Sequence, residues 1–231
     1  MKNNIIDKFS LSRSGMKKYA EKLITQGVII VDPSRIDIRG KLICGKNVTI
    51  DINVIFEGDV TLEDGVRIGA NCIINNSFIG NNSNIKPFSM VEDSIIGENV
   101  FIGPYGRIRP GTKIGDKSQI GNFVEIKNSV IKSNSRINHL SFIGDSDLGR
   151  RVTIGAGTIT CNHNGIKINR TRVGENAYIG SGCNLIAPIE IGSNATIAAG
   201  STLDKDAPCD HLTIARARQK SILPSNKSVK K

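Results

Sequence analysis

A period of six is the feature that most limits what this chain can become. Apolar residues fall at Ile50, Phe56, Leu62, Ile68 and Ile74, and after a slip of one residue at Ile79, Ile85 and Val91. A second slip leads into Ile96, Ile102, Ile108, Ile114, Ile120 and Ile126, and two more give Ile131, Ile137, Ile143 and then Leu148 and Ile154. The pattern returns after an interruption at Val173, Ile179, Leu185, Ile191, Ile197 and Leu203. An α-helix turns every 3.6 residues or so and cannot hold such a set on one face. A triangular coil of three short β-strands, closing after about eighteen residues, can. Each inward aliphatic then stacks on its equivalents in the neighbouring coils at about 4.8 Å. Glycine follows many of these aliphatics, and the pattern assigns it to tight corners with positive φ.

The composition fits thin β layers packed on branched aliphatics, with 24 Gly and no Trp. At 231 residues the chain can build one substantial core. Cys44, Cys72, Cys161, Cys183 and Cys209 are scattered and form no Cys-x-x-Cys pair, which excludes a disulfide framework and a zinc cluster. All but Cys161 read as small buried hydrophobes. A net charge of +10 calls for an anionic partner. Nucleic acid would need basic residues interleaved with stacking aromatics, which are missing, whereas a phosphorylated cofactor suits the balance. Much of the excess lies in Arg216, Arg218, Lys220, Lys227, Lys230 and Lys231. No apolar run is long enough to span a bilayer and no signal-peptide core comes after Met1, so a soluble cytoplasmic protein is expected.

The chain divides into three segments. Residues 1–27 form a helical cap: Met16, Tyr19, Ala20, Leu23 and Ile24 recur at helical spacing, predicting a helix from about Ser14 to Thr25 with a stop at Gly27. Residues 28–205 form the β-helix, and residues 206–231 an irregular basic tail. Residues 161–172 break the period and must leave the prism as a loop, a usual place for function on a rigid scaffold. Just before it, His139 offers an imidazole suited to general base work, and Gly155-Ala156-Gly157 offers a bare backbone whose N–H can meet an oxyanion. Cys161 is open to a second reading as an acyl-accepting nucleophile. A zinc reading would need three converging histidines, and His139, His163 and His211 lie in unequal settings.

The runs Gly103-Pro104-Tyr105-Gly106-Arg107-Ile108-Arg109-Pro110-Gly111, Gly121-Asn122-Phe123-Val124-Glu125-Ile126-Lys127, His139-Leu140 and Ile154 to Asn162 resemble a known domain. It is the C-terminal domain of the bifunctional bacterial enzyme that acetylates glucosamine 1-phosphate and then uridylylates it. The likeness runs from about Leu23 to Gln219. It implies a left-handed parallel β-helix, a homotrimer with inter-subunit active sites, and acetyl-CoA as donor. It further implies His139 as general base, with the Ala156 N–H facing the thioester oxygen. Asn162, Ser181, Ala199 and Arg216 would line the acetyl-CoA site, and Arg109 and Lys127 would bind the sugar phosphate. Phe142 stands where the family has tyrosine, Thr153 where it has asparagine, and Ile168 where it has a loop lysine, with Lys167 next door. Each change removes a donor or a charge, so the expectation is an acetyltransferase retargeted to a cell-surface saccharide or its precursor; orthodox N-acetylation of glucosamine 1-phosphate is the alternative. The Gly-rich nucleotidyltransferase loop does not occur in these 231 residues, so no uridylyl transfer is expected of them.

Overall fold

The computed structural model of the chain describes residues 12–222; Lys227, Lys230 and Lys231 of the basic tail lie outside them. The period of six becomes a parallel β-helix of about ten turns. Its first face is an 11-stranded sheet. The register there runs through Arg67, Asn84, Phe101, Gln119, Arg136, Thr153, Tyr178 and Thr196. A second face passes through Glu125, Phe142 and Ile159, and a third through Val130, Asp147 and Arg172. The hexad aliphatics from Ile50 to Leu203 are all buried, with at most 4% of each surface exposed.

The register steps along the first face are 17 or 18 residues, except for one of 25 between Thr153 and Tyr178. The one-residue slips in the hexad pattern are these 17-residue coils. A corner one residue short has one carbonyl fewer, and a buried N–H must find another acceptor. Serine supplies it. The N–H groups of Ser94, Val100, Gly106, Ser135, Ser146 and Val152 each donate, at 2.9–3.3 Å, to the hydroxyl of the serine 17 positions earlier.

Apart from Gly103, whose φ is 89°, the glycines after the inward aliphatics have a different cause from the one the pattern suggested. Gly80, Gly97, Gly115, Gly149 and Gly180 do not have positive φ. Instead the next coil passes too close for a side chain: a Cβ on Gly80 would stand 2.7 Å from the Gly97 carbonyl carbon, and one on Gly115 2.7 Å from the Ser133 nitrogen. Outside glycine, asparagine holds more of the left-handed corners than any other residue type, as at Asn47, Asn82, Asn134 and Asn194, and its short polar side chain tolerates that conformation.

The first helix, α1, spans Arg13–Thr25, and the Ser12 hydroxyl accepts from the Gly15 N–H at 3.2 Å. Ala20 and Leu23 are buried, and the Tyr19 hydroxyl donates to the Leu42 carbonyl at 3.0 Å. The helix thereby caps the first coil. Among the described residues no helix is long and apolar enough to cross a membrane. The cysteines divide: Cys72 and Cys183 are buried, Cys44 is half-buried, and Cys209 is exposed, contrary to expectation. Cys209 comes after the last complete repeat, where little lies above to cover it. Burial pushes the Cys44 thiol up to about 12 and that of Cys72 to about 11, so both stay protonated near neutrality.

Candidate active site

The hydrogen-bond ladder that pairs Asn122 with His139 continues upward along one corner. From the register Arg136–Thr153–Tyr178–Thr196, Ala156, Ser181 and Ala199 stand in turn above His139, one coil apart. The bonds beside them agree: Gly157 donates to the His139 carbonyl at 3.3 Å, Gly182 to Ala156 at 2.7 Å, and Gly200 to Ser181 at 2.8 Å. Arg216 borders the upper end of the line: the register puts Ala215 above Ala199, and Arg216 Cδ lies 4.0 Å from where a Cβ on the adjacent Gly200 would stand. Four residues expected from the sequence therefore share one line, and Arg216 lies beside its upper end.

That corner is a groove. Gly157, Gly182 and Gly200 have φ of 74°, 69° and 72°, and a Cβ on Gly157 or Gly182 would meet nothing closer than 3.9 Å. The Ala156 N–H has no acceptor among the described residues. His139 is exposed at the foot of the groove, with Nδ1 3.0 Å from Asn122 Oδ1. An amide oxygen can only accept, so in the neutral ring this contact calls for the proton on Nδ1. A cavity of about 470 Å³, lined by Lys86, Phe101, Gln119, Asn122 and His139, opens beside the ring. A larger one of about 820 Å³ on the third face, lined by Lys132, Asp147, Arg172 and Glu190, contains none of the expected residues.

Around the corner, the second face carries Arg109, Lys127 and Phe142. Arg109 Nη1 donates to Glu125 Oε1 at 2.6 Å, and Lys127 Nζ is 3.8 Å from Asp145 Oδ2. Asp145, 2% exposed, accepts from Asn128 Nδ2 at 2.6 Å and from Asn162 Nδ2 at 2.5 Å. Burial alone would raise this carboxyl. The hydrogen bonds from Asn128 and Asn162, with the charges of Lys127 and Arg170, outweigh it and hold the group below its ordinary value. Asn162 thus stands on the second face with Lys127 rather than in the glycine groove. The Phe142 ring lies against Gly144, where a Cβ would stand 2.7 Å from Cζ.

Two expected residues stand apart from this cluster. Thr153 is on the first face, between Arg136 and Tyr178. Lys167 is exposed in a small hairpin closed by a bridge between His163 and Ile168, and its N–H donates to Asn164 Oδ1 at 2.9 Å. His163 Nδ1 accepts from the Gly165 N–H at 3.2 Å, a turn-holding role. Burial raises the Cys161 thiol, which works against a thiolate nucleophile.

A family model described as the GMPPB C-terminal domain matches residues 38–113, and the six-repeat bacterial transferase hexapeptide model matches residues 170–205. A protein of Aromatoleum aromaticum named bifunctional protein GlmU is 53% identical over 221 residues, 96% of this chain. The chain belongs to the hexapeptide-repeat transferase family. It spans about half the length of such relatives, 49% in that case and 50% for the Bordetella parapertussis protein of the same name, which is 45% identical over 229 residues, 99% of this chain. A solved structure titled UDP-N-acetylglucosamine acyltransferase from Campylobacter jejuni is 18% identical with a TM-score of 0.44, covering 79% of this chain and 70% of that one. That likeness is too distant to bear on the site.

Within this family member, reading the sequence passed over Asn122, Asp145 and Arg170. Arg170 donates to both Asp147 carboxylate oxygens, at 3.0 and 2.7 Å, at the end of the loop. The signal for Asn122 was its place 17 residues before His139, one short coil below. No comparable spacing marks Asp145, because a polar residue among outward positions looks like any solvated one.

Proposed function

We propose that the chain is an acetyl-CoA-dependent acetyltransferase that N-acetylates glucosamine 1-phosphate. The observation that carries this reading is the line His139–Ala156–Ser181–Ala199 along a groove floored by glycine, with Arg216 beside its upper end. Small residues there leave width for a pantetheine arm, and Arg216 at the open end suits the phosphates of CoA. The acceptor amine forms a C–N bond to the thioester carbon, and its proton passes to His139 Nε2. The oxyanion formed in between accepts from the Ala156 N–H. Collapse breaks the C–S bond, and the proton on Nε2 goes to the leaving sulfur of CoA.

Arg109 and Lys127 retain the cations for a sugar phosphate, and relatives named GlmU match at 45–53% identity over nearly the whole chain. Both favour the orthodox acceptor over a retargeted one. Phe142, Thr153 and Ile168 are the observation for the second reading, O- or N-acetylation of a capsule or lipopolysaccharide saccharide, since each lacks a donor or charge of the family pattern. Thr153 and Lys167 stand apart from Arg109 and Lys127 in one subunit, and the homotrimer that this reading includes would complete each active site from a neighbouring subunit. A panel of sugars, sugar phosphates and oligosaccharides with acetyl-CoA, read by free CoA release, tests the assignment. Turnover of glucosamine 1-phosphate is expected. Turnover of another saccharide in its place would hand the site to the second reading.

A further inference from the structure

We infer that Asn122 is the positioning residue for His139: it fixes the imidazole in the tautomer that leaves Nε2 free to take a proton. The inference rests on the acetyltransferase reading only for its catalytic consequence. Its structural part stands on the geometry of two adjacent coils.

A lone exposed imidazole is free to rotate about two torsions and to hold its proton on either nitrogen. The contact with Asn122 opposes both in His139. Asn122 and His139 are direct partners in the parallel ladder, and Asn122 Oδ1 receives Nδ1 at 3.0 Å. The coils that carry them are locked at close approach. A Cβ on Gly121 would fall inside contact distance of the Asn138 carbonyl, so only glycine allows this spacing. The Leu140 N–H donates to the Asn122 carbonyl at 3.1 Å, closing the corner on the other side. Phe123, next in the chain, is stacked on Tyr105 with ring centroids 5.1 Å apart, which pins the backbone just beyond Asn122. A short amide at this position reaches the ring and cannot protonate it. A carboxylate would reach it too, but would stabilise the imidazolium and weaken the base at low pH.

The test separates the two layers. With only three histidines in the chain, nitrogen-detected NMR of the imidazoles, assigned with His139→Ala, reads the His139 tautomer directly. We expect the Nδ1–H form to dominate in wild type and to give way to the Nε2–H form in Asn122→Leu, with unchanged overall fold by circular dichroism. A wild-type ring in the Nε2–H form, or one that Asn122→Leu leaves unaltered, overturns the inference whatever the enzyme does. For activity, CoA release with glucosamine 1-phosphate should lose roughly ten- to a hundred-fold in kcat in Asn122→Leu, with KM for acetyl-CoA unchanged. Asn122→Asp should restore the tautomer and move the acid limb of the kcat/KM profile upward by about one pH unit. An unmoved limb, or a loss confined to KM, defeats the positioning role. Absence of wild-type turnover with the expected tautomer would defeat the proposed acceptor and leave the Asn122–His139 assignment standing.

Discussion

One corner of the prism reads in two ways along its length. Below and at the His139 level, the left-handed position is held by Phe88, Tyr105, Phe123 and Leu140, with φ between 49° and 62°. Above it the same position is held by Gly157, Gly182 and Gly200, with φ between 69° and 74°. The backbone is alike throughout; the side chains are opposite. In the lower half the rings stack at 5.1 Å, with interplanar angles of 6° and 13°, and build a half-exposed apolar ridge. In the upper half nothing projects and a groove remains. His139 sits where ridge becomes groove. A large side chain at positive φ costs about 1–2 kcal/mol, and stacking returns about 0.5–1.5 kcal/mol per pair. The ridge is therefore nearly neutral in stability, and the glycines above are not there because the fold demands them. They keep space open.

The sharpest way to break the comparison is to remove the group at the junction. His139→Ala should lower kcat for CoA release by about 10²–10⁴-fold with an unchanged thermal midpoint; equal rates in wild type and variant would end the catalytic assignment. Next, extending the ridge into the groove with Gly182→Leu should raise KM for acetyl-CoA at least about tenfold while the protein still folds, since bulky residues occupy the same conformation four coils in a row below. Loss of fold instead, seen by circular dichroism, would show that the upper half cannot carry what the lower half does. Moving around the corner, Asp145→Asn should destabilise the protein by about 1–3 kcal/mol at neutral pH, measured by chemical denaturation, because Lys127 loses its buried counter-charge. The Asp145 carboxyl is held below its ordinary value, so its contribution is fully present above the unfolded value, about 4, and is lost as pH falls through the lower folded value. The gap between wild type and Asp145→Asn should thus close in acid. Smallest of all, Tyr105→Gly should change stability by no more than about 1 kcal/mol, as stacking is lost and strain relieved together.

Much of the fold was legible because branched aliphatics at six-residue spacing have only one way to be buried together. The extra loop was legible too, with narrower bounds: expected over residues 161–172, it emerges over 162–170, because Cys161, Thr171 and Arg172 belong to the strands Ile159–Cys161 and Thr171–Val173. The role of glycine was misread. A sequence shows that a residue is small but does not show whether φ or a neighbouring coil requires it, and here the neighbouring coil does. Cys209 was misread for a related reason, because burial at the end of a solenoid depends on how much chain packs over the last coil.

By itself the sequence determined the repeat, its aliphatic core, the loop and the candidate chemistry of His139 and the Gly-Ala-Gly run, since each depends on residue type and local spacing. Only the tertiary structure decided that His139, Ala156, Ser181 and Ala199 form one line, with Arg216 beside its upper end. The separations of the four in the chain are 17, 25 and 18 residues, and the 25 hides the alignment. The same stacking brought Asn122 to the imidazole and set Thr153 on a different face from Arg109 and Lys127. The physical reason is that a closed coil is registered by hydrogen bonds between its turns, so vertical neighbours are chosen by the ladder and not by distance along the chain.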